Sequence, residues 1–256
     1  EQILFRHSKP GRCVTFAEYR DEGGFAALKK ALASLSPDEV QQLVIDSGLR
    51  GRGGAGFPTG KKWSFVPRNL SGPRWLICNG DEMEPGTYKD RVLLEANPYS
   101  LVEGMILASY ALGVRHAFIF IRRGYELAAA NLRQAIAEAR AAGLLGEKVL
   151  GSGFSCDIDV HVSAGRYICG EETALMNALE GKRANPRAKP PFPAIKGLWG
   201  GPTVVNNVET LANIPYIIAH GAEWFKTQAA TPEAAGMKLF CLSGHLHHPE
   251  CFELPL

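Results

Sequence analysis

The hydrophobic and polar positions of this chain change period several times, and each change marks an element. Ser36-Pro37-Asp38-Glu39 opens the first clear helix: Ser36 caps, Pro37 suits the first helical position and Glu39 completes a capping box. Val40, Leu43 and Val44 line one face, and Gly48 ends it. Trp75 to Cys78 is an apolar run of strand length. The spacing then predicts a helix from about Pro98 to Leu112, stopped by Gly113, and a buried strand from His116 to Ile121. Tyr125 to Ala142 carries Leu132, Ile136 and Ala139 at helical spacing, with Gly143 as the stop. Cys156 to Val162 alternates, which predicts a half-buried strand with Ile158, Val160 and Val162 inward and Asp157, Asp159 and His161 outward.

Strands that alternate with helices argue for an α/β sheet with helices packed on it. Residues 1–24 are weakly patterned and read as an approach arm. Leu239 to His245 and Cys251 to Leu256 read as two short strands around Gly244 and Pro249. Two strands alone rarely make a stable unit, so they look like the opening of a domain that then stops. The missing initiator Met points to a trimmed N-terminus as well.

Composition narrows the class without choosing within it. The 256 residues are 46% hydrophobic and 21% charged, as in ordinary globular chains, and the formal net charge of +2 demands neither nucleic acid nor an anionic surface. The longest apolar run, Ala117 to Ile121, is far short of the roughly 20 residues that span a bilayer. The six cysteines (Cys13, Cys78, Cys156, Cys169, Cys241 and Cys251) contain no C-x-x-C pair, which suits reduced thiols in a cytoplasmic setting. An iron–sulfur cluster needs clustered thiolates that this stretch does not show. His245, His247, His248 and Cys251 fall close together, but their spacing matches no zinc pattern, and no metal site is expected. His116 and His161 read as packing or surface residues.

Five segments carry candidate chemistry. Gly51-Arg52-Gly53-Gly54-Ala55-Gly56 matches G-x-G-x-x-G but follows a helix rather than a strand, so the standard Rossmann reading does not apply. Its glycines let backbone amides approach a ligand, while Arg52, Lys61 and Lys62 add cations and Phe57, Trp63 and Phe65 add rings that can stack. These features favour a phosphate or nucleotide site over a plain loop. Asn79-Gly80-Asp81-Glu82-Met83-Glu84 follows a strand, where α/β sheets bind ligands, although a polar turn explains it equally. Gly165 to Thr173 holds Glu171 and Glu172 in the first turn of a helix that Gly170 starts, where a capping role and a catalytic one compete evenly. Asn185 to Pro193 is a proline-stiffened arm with Arg187, Lys189 and Phe192. Asn206 and Asn207 can bind a ligand or cap the helix that follows them.

In this order the segments resemble the NADH-binding flavoprotein subunit of respiratory complex I and its relatives in NAD-dependent formate dehydrogenases and NAD-reducing hydrogenases. The matching blocks are GLRGRGGAGFPTG-x-KW (48–63), CN-x-DE-x-EPGTYKDR (78–91), GRYICGEETAL (165–175), RANPR-x-KPPFP (183–193) and PT-x-x-NNVETL (202–211). The resemblance covers nearly everything from about Gly24 onward; Gly80 and Lys61 are small departures.

It implies a Rossmann-like parallel sheet with helices on both faces, preceded by the glycine-rich loop and followed by the start of a truncated ubiquitin-like β domain. The implied divisions are an arm and helix (1–47), an FMN/NADH-binding α/β domain (48–235) and that start (236–256). The family's roles would put Gly51, Arg52, Gly53 and Lys62 around FMN, with Asn79, Asp81, Glu82, Gly170, Glu171, Asn206, Asn207 and Thr210 facing the flavin. NADH would lie among Phe57, Phe65 and Phe192, with Gly54, Glu84, Tyr167, Glu172 and Lys189 around the rest. Glu84 and Glu172 would act on the reacting rings during hydride transfer from NADH to FMN. Electrons would then leave singly to iron–sulfur clusters held by a further C-terminal region or by partners, among them a thioredoxin-like iron–sulfur subunit at the inner face of the membrane. The alternative is a catalytically silent subunit of such a complex, which predicts damaged glycine or carboxylate blocks; these are intact.

Overall fold

The computed structural model describes residues 2–9, 11–69 and 72–256. In chain order the elements are α1 (Phe16–Asp21), α2 (Ala26–Ser34), α3 (Pro37–Asp46), α4 (Thr59–Trp63), β1 (Trp75–Gly80), α5 (Lys89–Ala96), α6 (Pro98–Leu112), β2 (His116–Ile121) and α7 (Glu126–Ala141). They continue with β3 (Asp157–Val162), α8 (Glu172–Leu179), β4 (Thr203–Asn207), α9 (Val208–Ala212), α10 (Ile214–His220), α11 (Ala222–Thr227), β5 (Met237–Cys241) and β6 (Cys251–Pro255). The first four strands form one parallel sheet in the order β3-β2-β1-β4.

Successive strand residues point to opposite faces. Leu76, Cys78, Ala117, Ile119, Ile121, Ile158 and Val204 join the large core with the helices of one face. Ile77, Phe120 and Val205 form a smaller cluster with Leu175 and Met176 of α8 on the other. The parallel sheet with helices on both faces is therefore present. α6 is apolar nearly all round and buried along its length, as a helix enclosed by neighbours must be. It lies against α9 at Gly104, where an added Cβ would sit 2.0 Å from the Leu211 carbonyl oxygen.

Several expectations need correction. Part of the N-terminal arm is helical: α1 has its own capping box, Thr15 with Glu18, and its apolar signal is weak because only Tyr19 is buried. The alternation in β3 lapses at its end, where Val162 is 37% exposed and His161 stacks on Phe120 with ring centroids 5.2 Å apart. This strand lies at the sheet edge with neighbours on both faces, so period two does not divide core from solvent there. Gly170 ends a single 3-10 turn, Tyr167–Gly170, and α8 begins at Glu172 with Glu171 as its cap. β5 and β6 do form an antiparallel hairpin, yet Met237 and Leu239 belong to the large core. Glu253 also accepts backbone N–H bonds from Ile3, Leu4 and Phe5 at 3.1, 2.8 and 3.1 Å, tying the hairpin to the opposite chain end.

Candidate functional site

The strand order contains a switch point. From β1 the chain adds β2 and then β3 to one side, and β4 returns to the other side of β1. The helices that follow β1 and β4, namely α5, α6 and α9, all join the large core on one face, and the carboxyl ends of β1 and β4, the usual ligand position in such sheets, lie side by side. Asn79 at the end of β1 is the register partner of Asn207 at the end of β4. Two of the five sequence blocks thus end side by side.

The glycine-rich loop lies over the end of β4. Gly51 N–H donates to the Phe57 carbonyl at 2.9 Å, closing the loop, and Arg52 N–H donates to Thr210 Oγ1 at 2.8 Å. A Cβ on Gly53 would stand 3.0 Å from Asn207 Cβ, so only glycine lets the loop lie this close without displacing its neighbour. The Arg52 side chain departs from the expected phosphate role. It is 4% exposed, and its guanidinium donates to the Ala235 and Met237 carbonyls at 2.7 and 3.0 Å, with Glu209 4.0 Å away. The loop offers backbone amides, while its arginine anchors the loop to the hairpin.

Most of the expected flavin-facing amides and carboxylates also have partners within the chain. Asn79 Nδ2 donates to the Gly170 carbonyl at 2.8 Å. Asn206 Oδ1 accepts the Trp63 indole N–H at 2.9 Å. Asn207 donates to Asp90 at 2.6 Å and accepts from Lys89 and from the Glu209 N–H. Glu82 caps α5, accepting the Asp90 and Arg91 N–H groups at 3.1 and 3.2 Å and the Tyr125 hydroxyl at 3.0 Å. Burial, joined by the nearby Asp90 charge, raises its carboxyl. Glu171 accepts the Thr173 and Ala174 N–H groups, both at 2.9 Å, so of the two roles open to it the capping one is made.

Asp81 differs. One carboxylate oxygen accepts the Ser163 hydroxyl at 2.6 Å, while the other is buried with no hydrogen-bond partner among the described residues. Burial raises this carboxyl against the opposing effects of Ser163 and Arg122. A buried polar atom left unpaired is costly, and here it lies just past the end of β1.

The rim is built from partly exposed side chains that pair with one another. Lys62 reaches the Val205 carbonyl at 2.8 Å and Glu172 at 3.2 Å, and Lys189 reaches the same carboxylate at 2.5 Å. Burial favours the neutral form of Glu172, but Lys62 and Lys189 outweigh it and hold the carboxyl below its ordinary value. Tyr167 donates its hydroxyl to Glu84 at 2.5 Å. Phe57 and Phe65 lie 6.1 Å apart, and both are exposed, as are Phe192 and Tyr167. Gly54, with φ of 121°, has open space where a side chain would go.

Four residues of this neighbourhood escaped the sequence reading: Lys89, Asp90, Ser163 and Glu209. Lys89 contacts Asp90 at 2.7 Å and Glu209 at 2.8 Å, and Glu209 also accepts the Leu239 N–H at 2.8 Å. Burial works against the Lys89 charge, but the two carboxylates outweigh it and raise its pKa. Lys89, Asp90 and Glu209 lie inside the matching blocks, but nothing in their spacing shows that they pair.

A glycine loop over the strand ends, an orphan carboxylate oxygen just past β1, and cations and exposed aromatic rings nearby are features that nucleotide-cofactor sites of the α/β class use. Residues 44–216 match the family model described as the Nuo51 FMN-binding domain, and the chain belongs to that family. It is 56% identical over 243 residues to an NADH-quinone oxidoreductase subunit of Escherichia coli (strain K12), covering 94% of this chain and 54% of that protein. To the corresponding protein of Aquifex aeolicus (strain VF5), also an NADH-quinone oxidoreductase subunit, it is 53% identical over 254 residues, covering 99% and 59%. The chain spans a little over half the length of these curated relatives. Among solved structures it is similar to a chain of NAD+-reducing [NiFe]-hydrogenase in the H2-reduced state, with TM-score 0.83 and 42% identity over 95% of this chain and 41% of that one.

Among the described residues no group of three or more His, Cys, Asp or Glu side chains is placed to hold a metal ion. The His245 to Cys251 group is not brought together as one. No helix of the described residues is long and apolar enough to cross a membrane.

The site fits FMN on its own features. The loop that a Cβ on Gly53 would crowd suits a phosphate bound by backbone amides, and the unpaired Asp81 oxygen can accept from a flavin ring N–H.

Proposed function

We propose that this chain is the FMN- and NAD(H)-binding part of an NADH:acceptor oxidoreductase serving a multi-subunit redox complex. The supporting observation is the convergence of the glycine loop, Asp81 and the lysine–glutamate rim at one switch point. Gly53 presents its backbone amide to the FMN phosphate while the Gly51 N–H holds the loop closed on Phe57, Gly54 leaves room for the dinucleotide, and Asp81 receives the ring edge. Asn79, Gly170, Asn206, Asn207 and Thr210 shape the walls, and Glu82 and Glu171 hold the helix starts that flank them. Bound FMN supplies hydride acceptance from NADH and release of electrons one at a time.

The chain's own work is positioning and charge. Phe57, Phe65 and Phe192 offer stacking surfaces for the adenine. Lys62 and Lys189 exchange Glu172 for the dinucleotide's phosphates, which frees Glu172 to accept from a ribose hydroxyl or the carboxamide. Glu84, released from Tyr167, does the same from the other side. No side chain acts as nucleophile. The names of the relatives support partners within a larger assembly. A thioredoxin-like iron–sulfur subunit, a cytoplasmic position at the inner membrane face and a ubiquitin-like domain opening at residue 236 complete this reading.

The test is the visible spectrum of the full-length protein, followed under anaerobic conditions as NADH is added. A flavin spectrum that bleaches on addition is expected. A protein that stays colourless after FMN is supplied and binds no NADH would instead mark a silent structural subunit.

A further inference from the structure

The β5–β6 hairpin, which Arg52 and Glu209 tie to the candidate site, carries a second site whose chemistry is independent of the proposed function. Cys241 and Cys251 are register partners across the two strands. Hydrogen-bonded pairs bracket them: Leu256 N–H donates to Gly236 O at 3.1 Å, and Leu242 N–H donates to Glu250 O at 3.0 Å. Antiparallel ladders alternate strictly, so Cys241 and Cys251 occupy a non-hydrogen-bonded position. The Leu239 N–H agrees with this phase, since it points out of the ladder to Glu209.

At such a position the Cα atoms are about 4.5 Å apart and the side chains are at their closest. A disulfide accepts Cα separations of about 4.4 to 6.8 Å, so the pair falls at the short end of the workable range. Bonds made under such constraint are the readily reduced ones. Both thiols are free and half-buried, whereas Cys78, Cys156 and Cys169 are buried and Cys13 lies in the N-terminal arm. Cys78 and Cys156 have no thiol opposite them in the described strands and bridges; Cys78 pairs with Ile119 and Asn206, and Cys156 with Gly146.

The two sulfurs are not equivalent. Cys241 Sγ accepts the Tyr88 N–H at 3.2 Å, and the Tyr88 hydroxyl donates to the Leu242 carbonyl at 3.0 Å, which fixes this sulfur in place. Burial and then the adjacent Cys241 thiol push the Cys251 thiol up, so Cys251 suits the resolving role rather than the first attack.

We infer that Cys241 and Cys251 form a reversible dithiol–disulfide site that closes under hydrogen peroxide. The Cys241 thiolate attacks one peroxide oxygen; the S–O bond forms as the O–O bond breaks, and the departing hydroxide takes a proton to become water. The Cys251 sulfur then attacks the sulfenic sulfur. The S–S bond forms as the S–O bond breaks, and the second hydroxide leaves as water with the Cys251 proton. Two thiols and one peroxide give one disulfide and two waters, a two-electron oxidation that an added dithiol reverses.

The experiment uses the reduced full-length protein in its complex, treated with stoichiometric peroxide, alkylated and mapped by peptide mass spectrometry. Loss of alkylation at both positions together is expected, with a 241–251 linked peptide that dithiothreitol removes. In Cys251→Ser, Cys241 stops at the sulfenic acid and is trapped by dimedone. In Cys241→Ser, Cys251 stays fully alkylated. Free thiols at both positions under a dose that oxidises N-acetylcysteine would overturn the inference. So would dimedone labelling of Cys241 as strong in the unaltered protein as in Cys251→Ser.

Discussion

Two clusters of lysine and carboxylate lie within the same site and differ in what it costs to open them. Behind the strand ends, Lys89 is 5% exposed and held between Asp90 and Glu209. At the mouth, the Lys62 and Lys189 side chains are each 30% exposed and share Glu172. Removing one partner of a buried pair strands a charge and costs about 3–5 kcal/mol, whereas an exposed pair is worth about 0–1 kcal/mol. A ligand with phosphates and hydroxyls can therefore displace the outer pairs and leave the inner ones intact. The inner cluster fixes Asn207 and the hairpin; the outer one is a set of contacts that a dinucleotide can exchange for its own.

The sharpest way to break this distinction is Glu209→Ala, which leaves Lys89 and Arg52 short of an anion and the Leu239 N–H unpaired. Urea unfolding should show a loss of about 3–5 kcal/mol. A loss below about 1 kcal/mol would put the inner cluster in the same class as the rim. Next in size is Gly53→Val, whose branched side chain meets Asn207. FMN affinity, read by flavin fluorescence, should fall at least about tenfold, the equivalent of about 1.4 kcal/mol, while unfolding stability stays within about 1 kcal/mol. Unchanged affinity would remove the loop from the cofactor site.

Glu172→Gln should show the reverse of Glu209→Ala. Stability at neutral pH should change by under about 1 kcal/mol, and NADH affinity should drop with FMN retained. Full turnover with unchanged NADH affinity would refute the role given to Glu172.

The smallest effect is its pH dependence. The lysines hold the Glu172 carboxyl below the ordinary 4.5, so the folded state releases that proton more readily than the unfolded chain. Its contribution is present above 4.5 and lost as pH falls through the lowered value. The stability curves of the parent and Glu172→Gln should therefore converge in acid; curves that converge instead toward neutral pH would reverse the sign.

Much of this arrangement could be read from the sequence, and the remainder failed for identifiable reasons. α3, α6, α7 and the first two strands follow from capping residues and apolar period, because each buries one dominant face or is enclosed entirely. β4 did not stand out: its Val204-Val205 is short, and Asn206-Asn207 reads equally as a ligand-binding pair or a helix cap rather than as strand. The blocks that meet at the ends of β1 and β4 stood out in the sequence, but the direction of each side chain did not. Arg52 sits in the glycine-rich loop, yet its side chain turns back to carbonyls 183 and 185 residues away in sequence. Lys89 and Glu209 meet across a separation that no local pattern encodes. Glycine and cation content marks a loop that is able to approach a ligand, whereas the direction each cation takes depends on packing from distant segments.

The most direct measurement is amide hydrogen exchange on the full-length protein with FMN removed, then restored, then with NADH added. Restoring FMN should protect residues 51–56, 79–82 and 206–210 together, and NADH should extend protection to the rim around 167–172 and 189–192. Protection by FMN at the opposite end of the sheet, with these three segments unchanged, would contradict a cofactor site at the β1–β4 switch point.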